Sequence, residues 1–520
     1  MDILFSKNSS KKTQILSKET IKDLAITDFV EEACVIKEDI AVIEKVLSAM
    51  PVEAEDMRFR VEILKDLFDN KELCDKLSES VHAINKLKNY SGSYKVSRQT
   101  EINLYTLLED LRELSVYTKV SEELSAILHE FEVKSEGLNR LRDELDETIN
   151  SKEFAELKTD IEQMIEDLSS VKGALIGVNF TPDLDIEEVS AIEFVPYKLV
   201  SKYTLIEKLN AMHLITPTDS STRNARVTDP LLVTIAPKIQ KHLKKHYSDI
   251  KKKLEQYSDF DTRPITEMHE GLIFYLVMAK FGRYLAGKGY DICFPDIKDD
   301  ERMTVKGLYN IRLAIEGTKD IVKNDFSFSK DERIFILTGP NRGGKTIIEQ
   351  AIGLASFMAA HGIFVMASSF TGLPFANILT HFPIDENLTI NYGRLGEEAV
   401  RIKEIVSNSD DNTLILFNET FSTTSAYDGV YLSKDLIRVL KEKGTYAIFN
   451  THLHELASDI PEMNKWDGEG DIISIVMERK DDQNTFLLKR AEPDSCSYAH
   501  TIAEKYGITY EQMTEKNKEE

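Results

Sequence analysis

From Ile334 to Ala355 the chain runs through a short apolar stretch, the octet Gly339-Pro340-Asn341-Arg342-Gly343-Gly344-Lys345-Thr346, and then Ile347, Ile348, Ala351, Leu354 and Ala355 at helical spacing. No other feature restricts the fold as much. The octet fits G-x-x-x-x-G-K-[ST], the pattern of a phosphate-cradling loop between a strand and a helix. Its glycines let the backbone turn so that successive N–H groups face one anion, and the following helix adds the positive end of its dipole. In such a loop Lys345 reaches the β- and γ-phosphates, and the Thr346 hydroxyl takes one Mg²⁺ position.

A phosphate loop of this kind works with a second strand that ends in polar groups. Thr413-Leu414-Ile415-Leu416-Phe417-Asn418-Glu419 supplies one, about seventy residues on. The strand's first polar position holds Asn418, whose amide oxygen can orient a metal-bound water but carries no charge, so Mg²⁺ affinity should fall. Glu419 is placed to polarise an attacking water. A third apolar run, Ala447–Phe449, ends in Asn450-Thr451-His452, and His452 is expected to sense the γ-phosphate.

Together with Ile334–Leu337 and Ile363–Met366, these runs predict a largely parallel sheet covered on both faces, because apolar strands alternate with helical stretches. Ile472–Met477 and Thr485–Lys489 read as a hairpin added to it. Two stretches have membrane-like hydropathy. Lys280 and Arg283 break Gly271–Ala286, whereas Gly353 and Gly362 punctuate Ile352–Phe370, which reads as a buried helix followed by a buried strand.

The first 170 residues read as helical. Leu138, Leu141, Leu145 and Ile149, then Phe154, Leu157, Ile161, Ile165 and Leu168 after Asn150-Ser151, predict two helices around a short break, in a hairpin or an ordinary bundle. Ala174–Phe180 is a short strand candidate and Thr216–Pro230 a loop. The expected organisation is a multidomain chain: a helical region over 1–265, an α/β nucleotide-binding domain over 266–515, and a charged, frayed tail over 511–520.

The 520 residues carry a net charge of −24, so nucleic-acid contact needs a local basic patch. The one strong candidate lies between residues 238 and 253, where seven lysines gather, Lys241, Lys244, Lys245, Lys251 and Lys252 among them. A solvated helix face is the commoner explanation of such a run, and a phosphate-contacting surface the sharper one. The four cysteines are far apart and outside any metal-binding spacing, and the N-terminal MDILFSKNSSKKTQ lacks a secretory apolar core. A reducing, cytoplasmic setting without a membrane is expected.

In this order and spacing, TGPNRGGKT, LILFNETFSTTSAYDG and NTHLHEL resemble the ATPase domain of the MutS family of DNA mismatch-repair proteins, a P-loop NTPase of ABC type. That family shows TGPN-x-x-GKS/T, then DE followed by TS-x-x-DG, then a THxxEL histidine. The resemblance is close over 323–509, including Ser497-Tyr498, and looser upstream, where Asp56–Leu67 and the helical stretches resemble the family's core and lever helices. It implies ATP and Mg²⁺ as cofactors, ATPase activity, and the nucleotide roles given above for Lys345, Thr346, Glu419 and His452. It also implies a homodimer, with Ser425, Asp428 and Gly429 in a loop at the subunit interface.

The chain departs from that family in three places. Asn418 replaces an Asp. Asn387–Glu398 occupies the place of a serine-containing loop that reaches the partner's nucleotide, with Gly393 at the serine's position. The N-terminus enters helical core at once, leaving no room for a mismatch-reading domain of about a hundred residues. Phe29-Val30-Glu31 and Phe154-Ala155-Glu156 match the F-x-E of that missing domain but lie in helical stretches. Two expectations follow. One is a dimeric ATPase clamp on DNA, serving repair or DNA-structure sensing without reading mismatches itself. The other is a nucleotide-switched scaffold for RNA, a ribosome or a protein partner, with slow or vestigial hydrolysis.

Overall fold

The computed structural model describes residues 1–97, 104–168, 173–183, 186–195, 197, 244–257, 260–383, 394–480, 483–492 and 506–515. The chain forms two compact units, and neither is one continuous stretch. One unit takes Met1–Asp2, Asp75–Val133 and Leu138–His269; the other takes Ile3–Cys74, Lys134–Gly137 and Glu270–Glu520. The packing therefore divides differently from the expected break near 265: residues 3–74 belong with the sheet-bearing half.

The first unit is mainly helical, as the sequence predicts. Its long helices are most of Lys71–Ser97, Leu104–Glu130, most of Glu136–Ile149, Lys152–Leu168 and Lys244–Gln256. Leu138, Leu141 and Leu145 are buried, and so are Phe154, Leu157 and Ile161. The second stripe then departs from expectation. Met164 is buried and Ile165 is 42% exposed, because the buried face advances by three residues at that turn. The strand expected at Ala174–Phe180 is Gly173–Phe180, paired antiparallel with Ile186–Val195. The loop expected at Thr216–Pro230 lies outside the described residues.

The second unit is built on a six-stranded sheet. Its strands in chain order are β1 (Glu332–Thr338), β2 (Asn377–His381), β3 (Thr413–Asn418), β4 (Tyr446–Asn450), β5 (Asp471–Lys480) and β6 (Gln483–Arg490), in spatial order β6-β5-β1-β4-β3-β2. All neighbours run parallel except the β5–β6 hairpin. Strands β1, β3 and β4 are apolar almost throughout because helices cover both faces. On one face Ile336, Ile415, Phe417 and Phe449 join Ile437, Leu440 and Ile405 in a continuous core. On the other, Lys345–Ala360 lies so close that a Cβ on Gly353 would stand 2.6 Å from Leu416 Cδ1. A larger residue there would have to push the Leu416 and Leu24 side chains aside.

One expected strand is absent from this sheet. Ile363–Met366 is buried, but among the described residues its only strand pairing is an isolated bridge between Val365 and Cys293, and Ser369–Thr371 joins a separate antiparallel sheet with Thr304–Leu308 and Asn324–Ser327. The edge position goes instead to β2. Its polar ends hid it: Asn377 Nδ2 donates to Asn408 O at 3.2 Å, and Thr380 Oγ1 donates to Asp23 Oδ2 at 2.7 Å. In the tail expected to be irregular, Tyr510–Glu515 is helical.

The N-terminal segment is bound into this unit. Thr20 Oγ1 donates to Ile378 O (3.3 Å), Gln350 Nε2 donates to Asp23 O (2.7 Å), and Arg401 pairs with Asp23 at 3.2 Å. Asp56 accepts from Ser6 N at 2.8 Å, and the buried Arg60 donates to Leu4 O at 2.8 Å.

His361, at the end of Lys345–Ala360, is fully buried and its Nδ1 lies 2.9 Å from Phe357 O. Burial, with the Arg60 guanidinium adding to it, pushes this imidazole down to about 3. The unfolded chain takes up that proton near pH 6.5 while the folded chain does not, so stability is present above about 6.5 and is lost as pH falls toward 3. The melting temperature should therefore drop on acidification, and His361→Leu should make that drop shallower. Parallel pH profiles for parent and variant would remove this assignment.

Candidate functional site

The site forms where β1, β4 and β3 end side by side. Their registers pair Leu337 with Asn450 and Asn450 with Asn418, so three parallel strands deliver their last residues to one rim. Ligands of open α/β sheets bind at this carboxyl edge.

From β1 the chain enters Gly339–Thr346. Gly339 (φ +139°) and Gly344 (φ +89°) take left-handed conformations, and Arg342 does so at φ +60°. Gly343 N donates to Pro340 O at 3.1 Å, and a Cβ on Gly343 would stand 2.8 Å from that oxygen. Gly344 is then the N-cap of Lys345–Ala360. Lys345 is buried, and its ammonium donates to Gly339 O (3.1 Å) and Pro340 O (3.4 Å). Burial lowers its pKa, while Glu419 and Glu349 act in the opposite direction.

From β3 come Asn418 and Glu419. Asn418 Oδ1 lies 3.5 Å from Thr346 Oγ1 and accepts from Asn450 Nδ2 at 2.8 Å. Glu419 has φ +53° and Phe421 φ +61°, two non-glycine residues in the left-handed region within one turn. Such strain persists only where surrounding contacts impose it. Here Glu419 N donates to Asn450 O at 2.8 Å and Phe421 N to Glu398 Oε1 at 2.7 Å. From beyond β4, His452 Nε2 sits 2.7 Å from Glu419 Oε1. That bond, with burial opposing it, holds the Glu419 carboxyl below the usual range.

Beside the loop opens a cavity of about 520 Å³, lined by Pro340–Ile348, Glu419 and an apolar side formed by Tyr309, Leu313, Ile321, Val322 and Phe486. This wall was not legible in the sequence, because its residues come from segments without a motif. Phe486, on β6, stands 3.3 Å from where a Gly344 Cβ would be, and Asn484 Nδ2 donates to Arg342 O at 3.2 Å. Glu349 was also missed. It is fully buried one turn past Thr346, and burial raises its carboxyl to about 8. A lone acid in the apolar run from Ile347 to Ala360 was its only signal.

The other candidates lie elsewhere. Ser425 is the N-cap of Ala426–Lys443, accepting from Asp428 N at 3.1 Å and donating to Asp428 Oδ2 at 2.7 Å. Lys253 pairs with Asp160 at 2.8 Å, Lys251 lies 3.9 Å from Glu255, and Lys252 is exposed. Lys244 and Lys245 begin their helix, while Lys241, Gly393 and Ser497-Tyr498 lie outside the described residues. Phe29 and Phe154 of the two F-x-E matches are both buried core residues. Among the described residues no group of three or more His, Cys, Asp or Glu is arranged to hold a metal, and no helix is long and apolar enough to cross a membrane.

A family model described as MutS domain V matches residues 335–518, the stretch that holds the end of β1, the glycine-rich loop, β3, β4 and the hairpin. Over that stretch the chain resembles the MutS family. Two curated relatives are similar to part of it. It is 28% identical over 165 residues to a DNA mismatch repair protein MutS of Oceanobacillus iheyensis, covering 32% of this chain and 19% of that one. It is 29% identical over 218 residues to a protein of the same name from Streptococcus pyogenes serotype M18, covering 41% and 25% respectively. The chain thus matches only a fifth to a quarter of each relative's length.

Proposed function

We propose that the chain is a P-loop ATPase that binds ATP with Mg²⁺ and works as a homodimeric clamp on DNA. The observation that carries this is the cradle itself. Left-handed Gly339, Arg342 and Gly344, the helix start at Lys345 and the buried Lys345 ammonium converge on one cavity that also reaches Glu419. Backbone N–H groups and a helix N-terminus suit a phosphate chain, and the apolar wall with Tyr309 and Phe486 suits a base.

The donor set also fits a magnesium ion. Thr346 Oγ1 and Asn418 Oδ1, 3.5 Å apart, are hard oxygen ligands of the type Mg²⁺ takes, directly or through water. When bound, it would neutralise charge on the outer phosphate oxygens. Lys345 would turn its ammonium from the loop carbonyls to the γ-phosphate. Glu419 stays ionised at neutral pH and orients water for in-line attack, with His452 fixing its carboxylate and meeting the γ-phosphate. Ser425 and Asp428, with Gly393, belong to the proposed dimer contact, at the start of a helix that exposes Tyr427 and Tyr431.

DNA as the partner is supported by the relatives' names, both DNA mismatch repair proteins. Nothing in them favours RNA or a ribosome. The proposed setting is the cytoplasm, with the lysine-rich helix Lys244–Gln256 as the phosphate-contacting surface. Duplex DNA binding should then weaken with salt, with a log–log slope of several, and differ with and without ATP. Lys244→Glu with Lys245→Glu should lower that slope by about two. No binding at low salt would remove DNA from this proposal.

A further inference from the structure

Beneath the loop, four polar side chains form a chain of contacts. Asn450 Nδ2 donates to Asn418 Oδ1 at 2.8 Å and to Glu349 Oε2 at 3.0 Å, and it lies 3.5 Å from Thr346 Oγ1. Glu349 and Asn450 are both fully buried, and Glu349 Oε1 and Asn450 Oδ1 have no hydrogen-bond partner. A buried acid with half its capacity unused is costly unless the site uses it. Three residues from Thr346, on the same helical face, it sits under the end of a strand whose own terminal polar group is a neutral amide.

An amide can present either its oxygen or its nitrogen, and its neighbours decide which. Glu349 Oε2 accepts, so it draws the Asn450 nitrogen toward itself. The same nitrogen then faces Asn418 and requires that residue to present its oxygen. Were Asn450 reversed, Asn418 would turn its nitrogen inward, and an N–H donor cannot serve a cation.

We propose that Glu349 is a positioning residue for the cation: through Asn450 it fixes the Asn418 amide with its oxygen toward Thr346. Glu349 acts from behind, through another side chain, as groups outside a metal's ligand shell commonly do. This role rests on the nucleotide reading given above and is tested separately from it.

The experiment measures binding of the fluorescent analogue mant-ATP against Mg²⁺ concentration, with no hydrolysis readout. In Glu349→Met the Mg²⁺ needed for half-maximal binding should rise about tenfold, while affinity without metal stays within about twofold. Adding Asn418→Asp, whose carboxylate presents an oxygen in either orientation, should return the Mg²⁺ midpoint to near the parent value. Should Glu349→Met fail to fold, the smaller Glu349→Ala serves, with a rise of at least about threefold expected because no acceptor then holds the Asn450 nitrogen. An unchanged midpoint overturns the proposal. So does an equal loss of metal-free and metal-dependent binding that Asn418→Asp does not restore. If the parent chain itself takes up no mant-ATP, the nucleotide reading has failed instead.

Discussion

Replacing Lys345 by alanine is expected to remove ATP binding almost entirely. Among the described residues the ammonium is the one buried cation lining the cavity, and a charge-assisted bond to phosphate in such a site contributes about 1.5–3 kcal/mol. With two such bonds lost, affinity should fall by two orders of magnitude or more. The fold should survive, because the ammonium's bonds in this structure are only to the carbonyls of Gly339 and Pro340. Burial already disfavours the charged form, so the side chain is not there for stability. Titration with mant-ATP checks this, alongside a melting curve. Parent-like affinity in a folded variant would refute the assignment of Lys345.

Glu419→Gln should separate binding from turnover. Gln keeps the shape and tolerates φ +53° about as well as Glu, so the loop and its bond to Asn450 O should persist. The carboxylate that His452 holds ionised is gone, however, and loss of a positioned base typically costs about 10²–10⁴-fold in rate. ATP should accumulate uncleaved, and on the proposed mechanism the dimer should accumulate with it. Single-turnover hydrolysis with sedimentation in ATP reads both. Hydrolysis at the parent rate would count against Glu419.

Much of the second unit could be read from the chain because parallel strands covered on both faces leave long apolar runs. β1, β3, β4 and the β5–β6 hairpin fall where those runs predict. The loop was legible for a different reason: its glycines serve a backbone conformation that few other sequences need. β2 was not, since Asn377 and Thr380 spend their polar groups on neighbours far away in sequence. Ile363–Met366 misled because burial alone makes a run apolar, whether or not it pairs with a sheet. The cavity wall and Glu349 depend on which side chains meet between segments far apart in the chain, and no local pattern records that. At Asn418 the chemistry of one position was evident, but its partner Asn450 became meaningful only when two strand ends proved to be level.

The interleaved packing of residues 3–74 has a practical consequence. A fragment begun at Glu270 would contain the whole loop, every strand of the large sheet and both Glu419 and His452. It would nonetheless lack Asp23, the partner of Thr380, Gln350 and Arg401, and Leu24, which closes over Gly353. The sheet-bearing half is thus no detachable cassette. Gene fusions, truncations and engineered transplants would have to carry both ends of the polypeptide together.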